Sequence, residues 1–313
     1  MITVLSLSPA VDKIYVIDDF CTGELYRVNN CVQSAGGKGV NVTRVSRMLK
    51  ADVAVLGFKA GNTGQWLEDN ILGTGARSYL IEVEGQSRTN NNIIDKVNNR
   101  ETEILEVGPT ISDYSWKMFL ESFHKNIKKT KVLVCSGGLP KGLGTETYKR
   151  LIEEANKLGI KTILDASGDV LKQGISAKPY LIKPNLRELS TYFQTHFTTE
   201  TEILNACKEI INRGVKVVVT SLGADGALLV SENAAYKAYP VSVNVINTIG
   251  SGDSMVAGIS TGLAEGMEPL DCFRLGVACA SSNTEFIEIG LISNEKVEQL
   301  KKEIVIEKIE FEI

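Results

Sequence analysis

"KVLVCSGGLPKGLGTETYKRLIEEANKLGIKTILDAS", residues 131–167, places a helical pattern between two short apolar runs. The runs KVLVCSG (131–137) and IKTILDAS (160–167) are almost continuously hydrophobic, as is typical of strands buried on both faces of a parallel sheet. Residues 145–158 between them have the spacing of an amphipathic helix. This unit therefore predicts a right-handed crossover between two parallel strands.

The same alternation continues along most of the chain. Further strands are predicted at 53–58, 179–185 and 215–223, and further helices at 38–50, 63–72, 112–125 and 200–212. This order predicts an α/β fold with a doubly wound, mostly parallel sheet flanked by helices. No linker or repeat interrupts it, so we expect a single domain over residues 1–313.

Two segments, about 12–33 and 77–107, have extended alternating patterns without helices. We expect them to form a small β-sheet lid that projects from the core. Such a sheet has one apolar face that needs cover, either from a ligand cleft or from another subunit.

Composition excludes several classes of function. The chain has 313 residues and a formal net charge of -4, so it lacks the basic surface of a nucleic-acid-binding protein. Its six cysteines form no CxxC pair and it has only two histidines, which argues for a reducing cytoplasm and against a structural zinc site. No basic leader and no run of ~18 apolar residues is present, so neither a secretory signal nor a membrane span is expected.

"NTIGSGDSMVAGISTGLAEG", residues 247–266, opens a predicted helix with two glycines and an acid, after a predicted strand at 241–247. Gly250 and Gly252 leave the first N–H groups of the helix uncovered, which makes an anion site possible. Asp253 could instead be there to complement the helix dipole. The segment alone leaves both interpretations open.

"SAGGKGVNVTRV", residues 34–45, is a second glycine-rich segment. It lacks the spacing of a Walker loop. Its glycines permit a ligand to touch the backbone near Lys38, and the amide of Asn41 could bind sugar hydroxyls. The alternative is a plain helix entry with a solvent-facing lysine.

Two further segments follow predicted strands. In "KPNLREL" (183–189), Asn185 and Glu188 share one helical face, which suits either a hydrated Mg²⁺ or a capping box. "TSLGADGALLV" (220–230) predicts a hairpin near the carboxyl edge of the sheet, where open α/β sheets bind ligands.

Taken together, these segments resemble the ribokinase-like (PfkB) carbohydrate kinases. The resemblance runs from SPAVD (8–12) to ASSN (280–283). Its order of motifs is far more specific than any one of them: PAVD, GGKGVN, SRTN, SGGLP, KPNLRE, SLGADG and GSGDS.

The resemblance implies an ATP-dependent kinase that also uses Mg²⁺. In the family, the segment that matches Gly250, Ser251 and Gly252 is an anion hole for the transferring phosphoryl group, and Asp253 matches the catalytic base. Phosphoryl transfer depends mainly on positioning and charge stabilisation, which agrees with this arrangement. A carboxylate with its reference pKa of ~4 is a weak base, so Asp253 is expected to act late, as the O–P bond forms.

The resemblance also assigns binding roles. Substrate would be held by Asp12, Arg27, Gly37, Lys38, Asn41, Arg88 and Ser136, of which Lys38, Arg88 and Arg27 would bind the phosphate already on the sugar. ATP would be held by Lys183, Asn185, Glu188, Ser221, Gly223, Gly226 and Asn283. Asn185 and Glu188 would also organise Mg²⁺ through water.

Within the family, "TEILEVGPTIS" (102–112), "LPKGL" (139–143) and "LDASG" (164–168) are similar to the branch that phosphorylates D-tagatose 6-phosphate to the 1,6-bisphosphate. Fructose 1-phosphate is the alternative substrate. A kinase for a neutral sugar or a catalytically silent sugar-phosphate sensor is a wider alternative. In this branch the lid often forms a homodimer interface, and we expect it to close on sugar binding because a wet site would hydrolyse ATP.

The chain departs from the usual family motifs at four positions. Ser8 replaces Asn, Gly138 replaces Ser, and Thr248 and Ile249 stand where Pro and Val are usual. Asp253 and the anion hole are retained. Ser8 and Gly138 leave the identity of the sugar open.

Overall fold

A computed structural model describes residues 1–29 and 31–310. Residue 30 and residues 311–313, which the predictions for the lid and for the single domain include, lie outside these ranges. Within them, the larger of two sheets has ten strands. In spatial order these are β14 (Ile306–Ile309), β13 (Ala235–Ala238), β12 (Ala227–Ser231), β11 (Val217–Ser221), β10 (Leu181–Ile182), β9 (Lys161–Asp165), β8 (Val132–Ser136), β1 (Ile2–Ser6), β4 (Val53–Ala60) and β5 (Arg77–Val83).

The large sheet confirms the predicted doubly wound topology. Neighbouring strands from β11 to β5 are parallel, and β12, β13 and β14 continue the sheet in antiparallel pairs. From β1 the chain proceeds through β4 to β5 on one side and then returns to β8 on the other. The strand order therefore reverses between β1 and β8, which is where open α/β sheets bind ligands.

Helices cover both faces of the large sheet, as the continuous hydrophobicity of its strands predicts. Along β8, Val132 and Val134 contribute to one apolar core, whereas Leu133 and Cys135 contribute to a second on the opposite face. The first core is covered by α1 (Lys38–Met48), α2 (Gly61–Gly73), α8 (Ser251–Glu265), α9 (Pro269–Asn283) and α10 (Asn294–Glu303). The second is covered by α3 (Asp113–Ile127), α4 (Thr147–Lys157), α5 (Gly168–Ser176), α6 (Leu186–Phe193) and α7 (Glu200–Asn212).

Helices α8 and α9 are in direct backbone contact. A Cβ atom added at Gly258 would lie 2.8 Å from both the Cα atom of Gly276 and the carbonyl oxygen of Leu275. Distances this short leave no space for a side chain at Gly258. Helix α8, which begins at the glycine-rich segment, is therefore fixed against its neighbour.

The smaller sheet confirms the predicted lid sheet, and its four strands are the lid. In spatial order they are β3 (Cys31–Gly36), β2 (Ala10–Ile17), β6 (Arg88–Asp95) and β7 (Arg100–Leu105). The predicted boundary at 77 is wrong, because residues 77–83 form β5 at the edge of the large sheet. Residues 21–29, also predicted as extended, contain no strand.

The strand predicted at 241–247 is wrong. This segment has no strand partner, and the N–H groups of Ile246 and Asn247 donate instead to the carbonyl of Thr284. Its alternation does not reflect a buried face, since Val245 and Ile246 are 57% and 47% exposed. The other predicted strands and helices are present, although the run at 179–185, which has a proline near each end, gives only the two-residue strand β10. In the described part of the chain, no helix is long and apolar enough to span a membrane.

Candidate active site

A large cleft lies where the strand order reverses. Its volume is about 1390 Å³. One wall contains residues at or just beyond the carboxyl ends of β1, β8, β10 and β11, represented by Ser6, Ser136, Lys183 and Ser221. The lid contributes further lining residues, among them Asn92, Glu103 and Leu105. The cleft therefore joins the switch point of the sheet to the lid.

The start of helix α8 lines this cleft. Gly250 occupies the N-terminal cap position with φ = 83°, in the left-handed region that favours glycine, and no side chain caps the helix. A Cβ atom added at Gly252 would lie 3.2 Å from Nζ of Lys183, so this ammonium group lies directly against the glycine. The uncapped N–H groups and the lysine make the helix start favourable for an anion.

Asp253 lies in the first turn of α8, also facing the cleft, and only 6% of it is exposed. Nδ2 of Asn41 donates to its Oδ2 at 2.8 Å. Burial raises the pKa of Asp253 to about 7, and Asp165 adds to the shift, while Lys38, Asn41 and Lys183 oppose it. The sequence-based expectation of a reference pKa was therefore wrong, and Asp253 is a stronger base than expected.

Asp165, at the end of β9, is a site residue that the sequence analysis missed. Its buried carboxylate lies 3.2 Å from Nζ of Lys38 and 3.3 Å from Nζ of Lys183. Oγ of Ser136 donates to it at 3.4 Å. Burial would raise the pKa of Asp165, but the two lysines outweigh burial and lower it, so the group is ionised. Asp165 thus supplies the negative charge that holds both lysines in the cleft.

Lys38 connects several of the acids. Burial opposes its charge, but Asp165, Asp253 and Glu188 outweigh burial and raise the pKa of Lys38 above its ordinary value. Its Nζ atom lies 3.8 Å from Oε1 of Glu188. The alternative of a plain solvent-facing lysine is excluded by these contacts.

Asp12 marks the part of the cleft next to the lid. Its Oδ1 accepts from Nδ2 of Asn90 at 2.7 Å and its Oδ2 from the N–H of Gly37 at 3.4 Å. Burial raises the pKa of Asp12 despite these donors. Arg88 donates to Oδ1 of Asn90 at 2.9 Å and to the carbonyl of Ser8. The arginine, amide and carboxylate form one continuous network.

Two buried amide oxygens of residues that line the cleft have no hydrogen-bond partner among the described residues. They are Oδ1 of Asn41 and Oδ1 of Asn92, whose residues are 3% and 2% exposed. An unpaired buried acceptor costs about 1–3 kcal/mol. Both atoms are enclosed by protein and do not open onto the cleft surface.

Asn185 and Glu188 form the capping box that the sequence left as one alternative. Oδ1 of Asn185 accepts from the N–H of Glu188 at 2.8 Å, and Oε2 of Glu188 accepts from the N–H of Asn185 at 3.0 Å. Only Oε1 of Glu188 stays outside this box. Across the described residues, no group of three His, Cys, Asp or Glu side chains is placed to hold a metal ion directly.

The hairpin at 220–230 is confirmed as β11, a short 3₁₀ turn at Gly223–Asp225, and β12. Ser221, Gly223 and Gly226 line the cleft. Asn283 does not line it. Its buried amide donates to the carbonyl of Ile249 and its Oδ1 accepts from Ser254 and from the N–H of Gly290, so it supports the loop before α8 from behind.

Arg27 is a second predicted site residue that the structure places elsewhere. It is exposed and is not among the residues that line the cleft. Two basic residues that the sequence analysis did not select, Lys141 and Arg187, do line it. The carbonyl of Lys141 accepts from the N–H of Ile111, which ties its loop to the segment that follows the lid.

Comparisons with known proteins agree with this geometry. Residues 2–286 match the model of the pfkB family carbohydrate kinases. The chain belongs to the PfkB family of carbohydrate kinases. It is therefore an ATP-dependent phosphotransferase, and its named relatives make it a phosphosugar kinase.

Three PfkB proteins illustrate the similarity. A 1-phosphofructokinase of Bacillus subtilis is 33% identical, over 99% of this chain and 100% of its own length. A tagatose-6-phosphate kinase of Staphylococcus epidermidis is 36% identical, over 97% of this chain and 98% of its own. The crystal structure of Escherichia coli phosphofructokinase-2 in complex with fructose-6-phosphate superposes with a TM-score of 0.88, at 28% identity, over 97% of this chain and 98% of that one.

Proposed function

We propose that this PfkB kinase transfers the γ-phosphoryl group of ATP to D-tagatose 6-phosphate and forms the 1,6-bisphosphate. The observation that carries the proposal is the position of Asp253, buried beside an uncapped helix start in a cleft that also contains Lys38 and Arg88. A base, an anion site and cations for a second phosphate are thus present in one cleft. The 36% identity to a tagatose-6-phosphate kinase favours this sugar.

The proposed transfer step uses the base and the helix start together. The sugar hydroxyl oxygen forms a bond to the γ-phosphorus while the bond from that phosphorus to the β–γ bridging oxygen breaks, and ADP leaves. Asp253 accepts the hydroxyl proton. The N–H groups of Gly250 and Gly252 stabilise the charge on the transferring group, and Lys183 adds a positive charge beside them.

The raised pKa of Asp253 suits this role. A base is most effective when its pKa lies near the working pH, because it is then both deprotonated and strong enough to take the proton. Burial provides this by raising the pKa to about 7. Asn41 orients the carboxylate through its Nδ2 atom.

The sugar would lie beside the lid. Asp12 and the N–H of Gly37 are placed to bind hydroxyls. Lys38, Arg88 and Lys141 are the cations proposed for the phosphate already on the sugar, and the guanidinium group of Arg88 can bind phosphate through two parallel hydrogen bonds.

The donor set fits a hydrated Mg²⁺ and does not fit an ion enclosed by protein. Oε1 of Glu188 is the one carboxylate oxygen of the capping box that is left over, and Asn185 lines the cleft beside it. Mg²⁺ typically keeps several waters and takes few protein ligands. Bound this way with the ATP phosphates, it would neutralise charge on the transferring group, while Ser221, Gly223 and Gly226 would contact the nucleotide.

The substrate is tested by measuring ADP release with tagatose 6-phosphate, fructose 1-phosphate, fructose 6-phosphate and the unphosphorylated sugars. We expect the highest kcat/KM for tagatose 6-phosphate. A higher value for fructose 1-phosphate would support the second candidate, which the 33% identity to a 1-phosphofructokinase favours. A higher value for any unphosphorylated sugar would refute the phosphosugar assignment.

The role of Lys141 gives a second test with a matched control. Lys141→Ala should raise KM for the sugar phosphate by about 10-fold or more, since a hydrogen bond to a charged group contributes about 1.5–3 kcal/mol. Lys117→Ala changes an exposed lysine outside the cleft and should leave KM unchanged. Equal KM values for both variants would remove Lys141 from the phosphate site.

We propose in addition that the protein is a homodimer assembled through the lid. Large hydrophobic side chains on or beside it that do not line the cleft are exposed, which is unusual for a free surface: Leu25, Val97 and Ile104. A cytoplasmic location is also proposed, because all six cysteines are free thiols.

A further inference from the structure

The lid touches the core at one polar contact close to the start of α8. Glu101, on β7, accepts a hydrogen bond from the N–H of Thr248 through Oε1 at 3.4 Å. The hydroxyl of Thr248 lies 3.3 Å from Oε1 and 3.2 Å from Oε2 of the same carboxylate. The contact joins residues 147 positions apart and bridges the mouth of the cleft.

This contact depends on the residue at position 248. Thr248 supplies two donors, its N–H and its hydroxyl group, and both point to Glu101. A proline at this position would have neither group, so it could not form the contact.

The opposite side of Thr248 contacts the anion hole. Its carbonyl oxygen accepts from Oγ of Ser251 at 2.7 Å and from the N–H of Ser251 at 3.3 Å. The N–H and hydroxyl groups of Thr248 thus contact the lid, and its carbonyl group contacts Ser251. One residue therefore connects β7 to the helix start.

The strand geometry fixes where Glu101 points. Residues two apart on a strand share a face, so Glu101 and Glu103 lie on the same side of β7. Glu103 lines the cleft. Burial raises the pKa of Glu103, and the nearby Asp12 and Glu101 add to the shift. This face of β7 therefore lies against the cleft when Glu101 reaches Thr248.

We propose that Glu101 and Thr248 form a latch that holds the lid over the transfer site and fixes Ser251 in the anion hole. Glu101 is a positioning residue that acts through Thr248. The inference rests on the proposed role of Gly250–Asp253 in phosphoryl transfer. Its functional consequence is coupling: loss of the latch loosens the helix start, so a larger share of the ATP is cleaved without transfer to a sugar hydroxyl.

The test measures two rates, phosphorylation of the sugar and release of ADP in its absence. In Glu101→Ala, kcat for the sugar should fall about 10-fold, and ADP release without sugar should rise relative to phosphorylation. Thr248→Val keeps the N–H group, so its kcat should fall less than that of Glu101→Ala. Thr248→Ser keeps both donors, so its kcat should fall least. Glu101→Gln keeps one acceptor oxygen and should recover part of the loss. Glu24→Ala, an exposed acid outside the cleft, is the control.

A double variant separates the latch from a general effect on folding. If the two residues act only through each other, the double variant with Glu101→Ala and Thr248→Val should have the same kcat as Glu101→Ala alone. If the two substitutions lower kcat by factors that multiply in the double variant, the latch is refuted. An unchanged ratio of ADP release to phosphorylation would also refute it. A faster kcat in Glu101→Ala would show an inhibitory contact and also overturn it. These outcomes leave the effect of Asp253→Asn untouched, so failure of the latch and failure of the proposed function are distinguishable.

Discussion

Replacement of Asp253 by asparagine tests the proposed base directly. The change removes the proton acceptor while it preserves the size of the side chain and an oxygen that can accept from Asn41. Proton transfer by a positioned base contributes about 10²–10⁴-fold to a rate. We therefore expect kcat to fall by this factor, or about 3 to 5 kcal/mol of transition-state stabilisation.

The same substitution has a predicted effect on stability that does not depend on catalysis. Burial raises the pKa of Asp253 from 3.8 to about 7 in the folded protein. As the pH rises between these two values, Asp253 loses its proton in the unfolded chain but keeps it in the folded protein. The free energy of unfolding therefore falls as the pH rises, and it becomes constant above pH 7. At ~1.36 kcal/mol per pH unit, it falls by roughly 3 kcal/mol between pH 5 and pH 8.

Asparagine does not titrate, so the stability of Asp253→Asn relative to the unsubstituted enzyme should increase by that amount over the same interval. Urea denaturation at pH 5 and pH 8 measures it, and coupled ADP release measures kcat. Asp271→Asn is the matched control, because Asp271 also lies in the first turn of a helix but is exposed. Turnover within 10-fold of the unsubstituted enzyme would refute the catalytic role, and a stability difference independent of pH would refute the raised pKa.

Three further outcomes are expected. Because Asp253 must be ionised to accept a proton and its pKa is raised to about 7, kcat/KM should fall below pH 7, and a profile flat down to pH 5 would contradict this. Asp165→Asn should lower the free energy of unfolding by about 3–5 kcal/mol in urea, since it leaves Lys38 and Lys183 without their buried counter-charge. A loss below 1 kcal/mol would show that the ion pairs are unimportant. Ile104→Lys should convert the proposed dimer to a monomer in sedimentation, whereas an unchanged species would place the interface elsewhere.

The large sheet could be predicted because its strands are buried on both faces. Residues 132–135 are continuously apolar, and alternate residues of this run enter two separate cores. The run at 241–247 alternates apolar and polar residues like a half-buried strand, but it lies at the cleft with Val245 and Ile246 exposed. Local alternation cannot distinguish these cases, since it does not show whether another strand is adjacent.

The site could be predicted only where glycines and polar residues form a local motif. Asp253 and Asn41 belong to such motifs, and the structure joins them by a hydrogen bond. Asp165 follows a strand without any unusual neighbours, and its partner Lys38 is 127 residues away, so nothing local identifies the pair. Asn283 was assigned to the cleft, although its side chain is fully used in holding the loop behind it.

The backbone contact between Gly258 and Gly276 limits how new specificities can arise in this protein. Since α8 and α9 touch without intervening side chains, a substitution that adds a side chain at Gly258 would force the two helices apart. We therefore expect mutations that alter the preferred sugar to accumulate in the lid and in the loops after the strands. The residues proposed to bind the nucleotide would stay unchanged. Directed evolution for a new sugar should therefore vary those loops first.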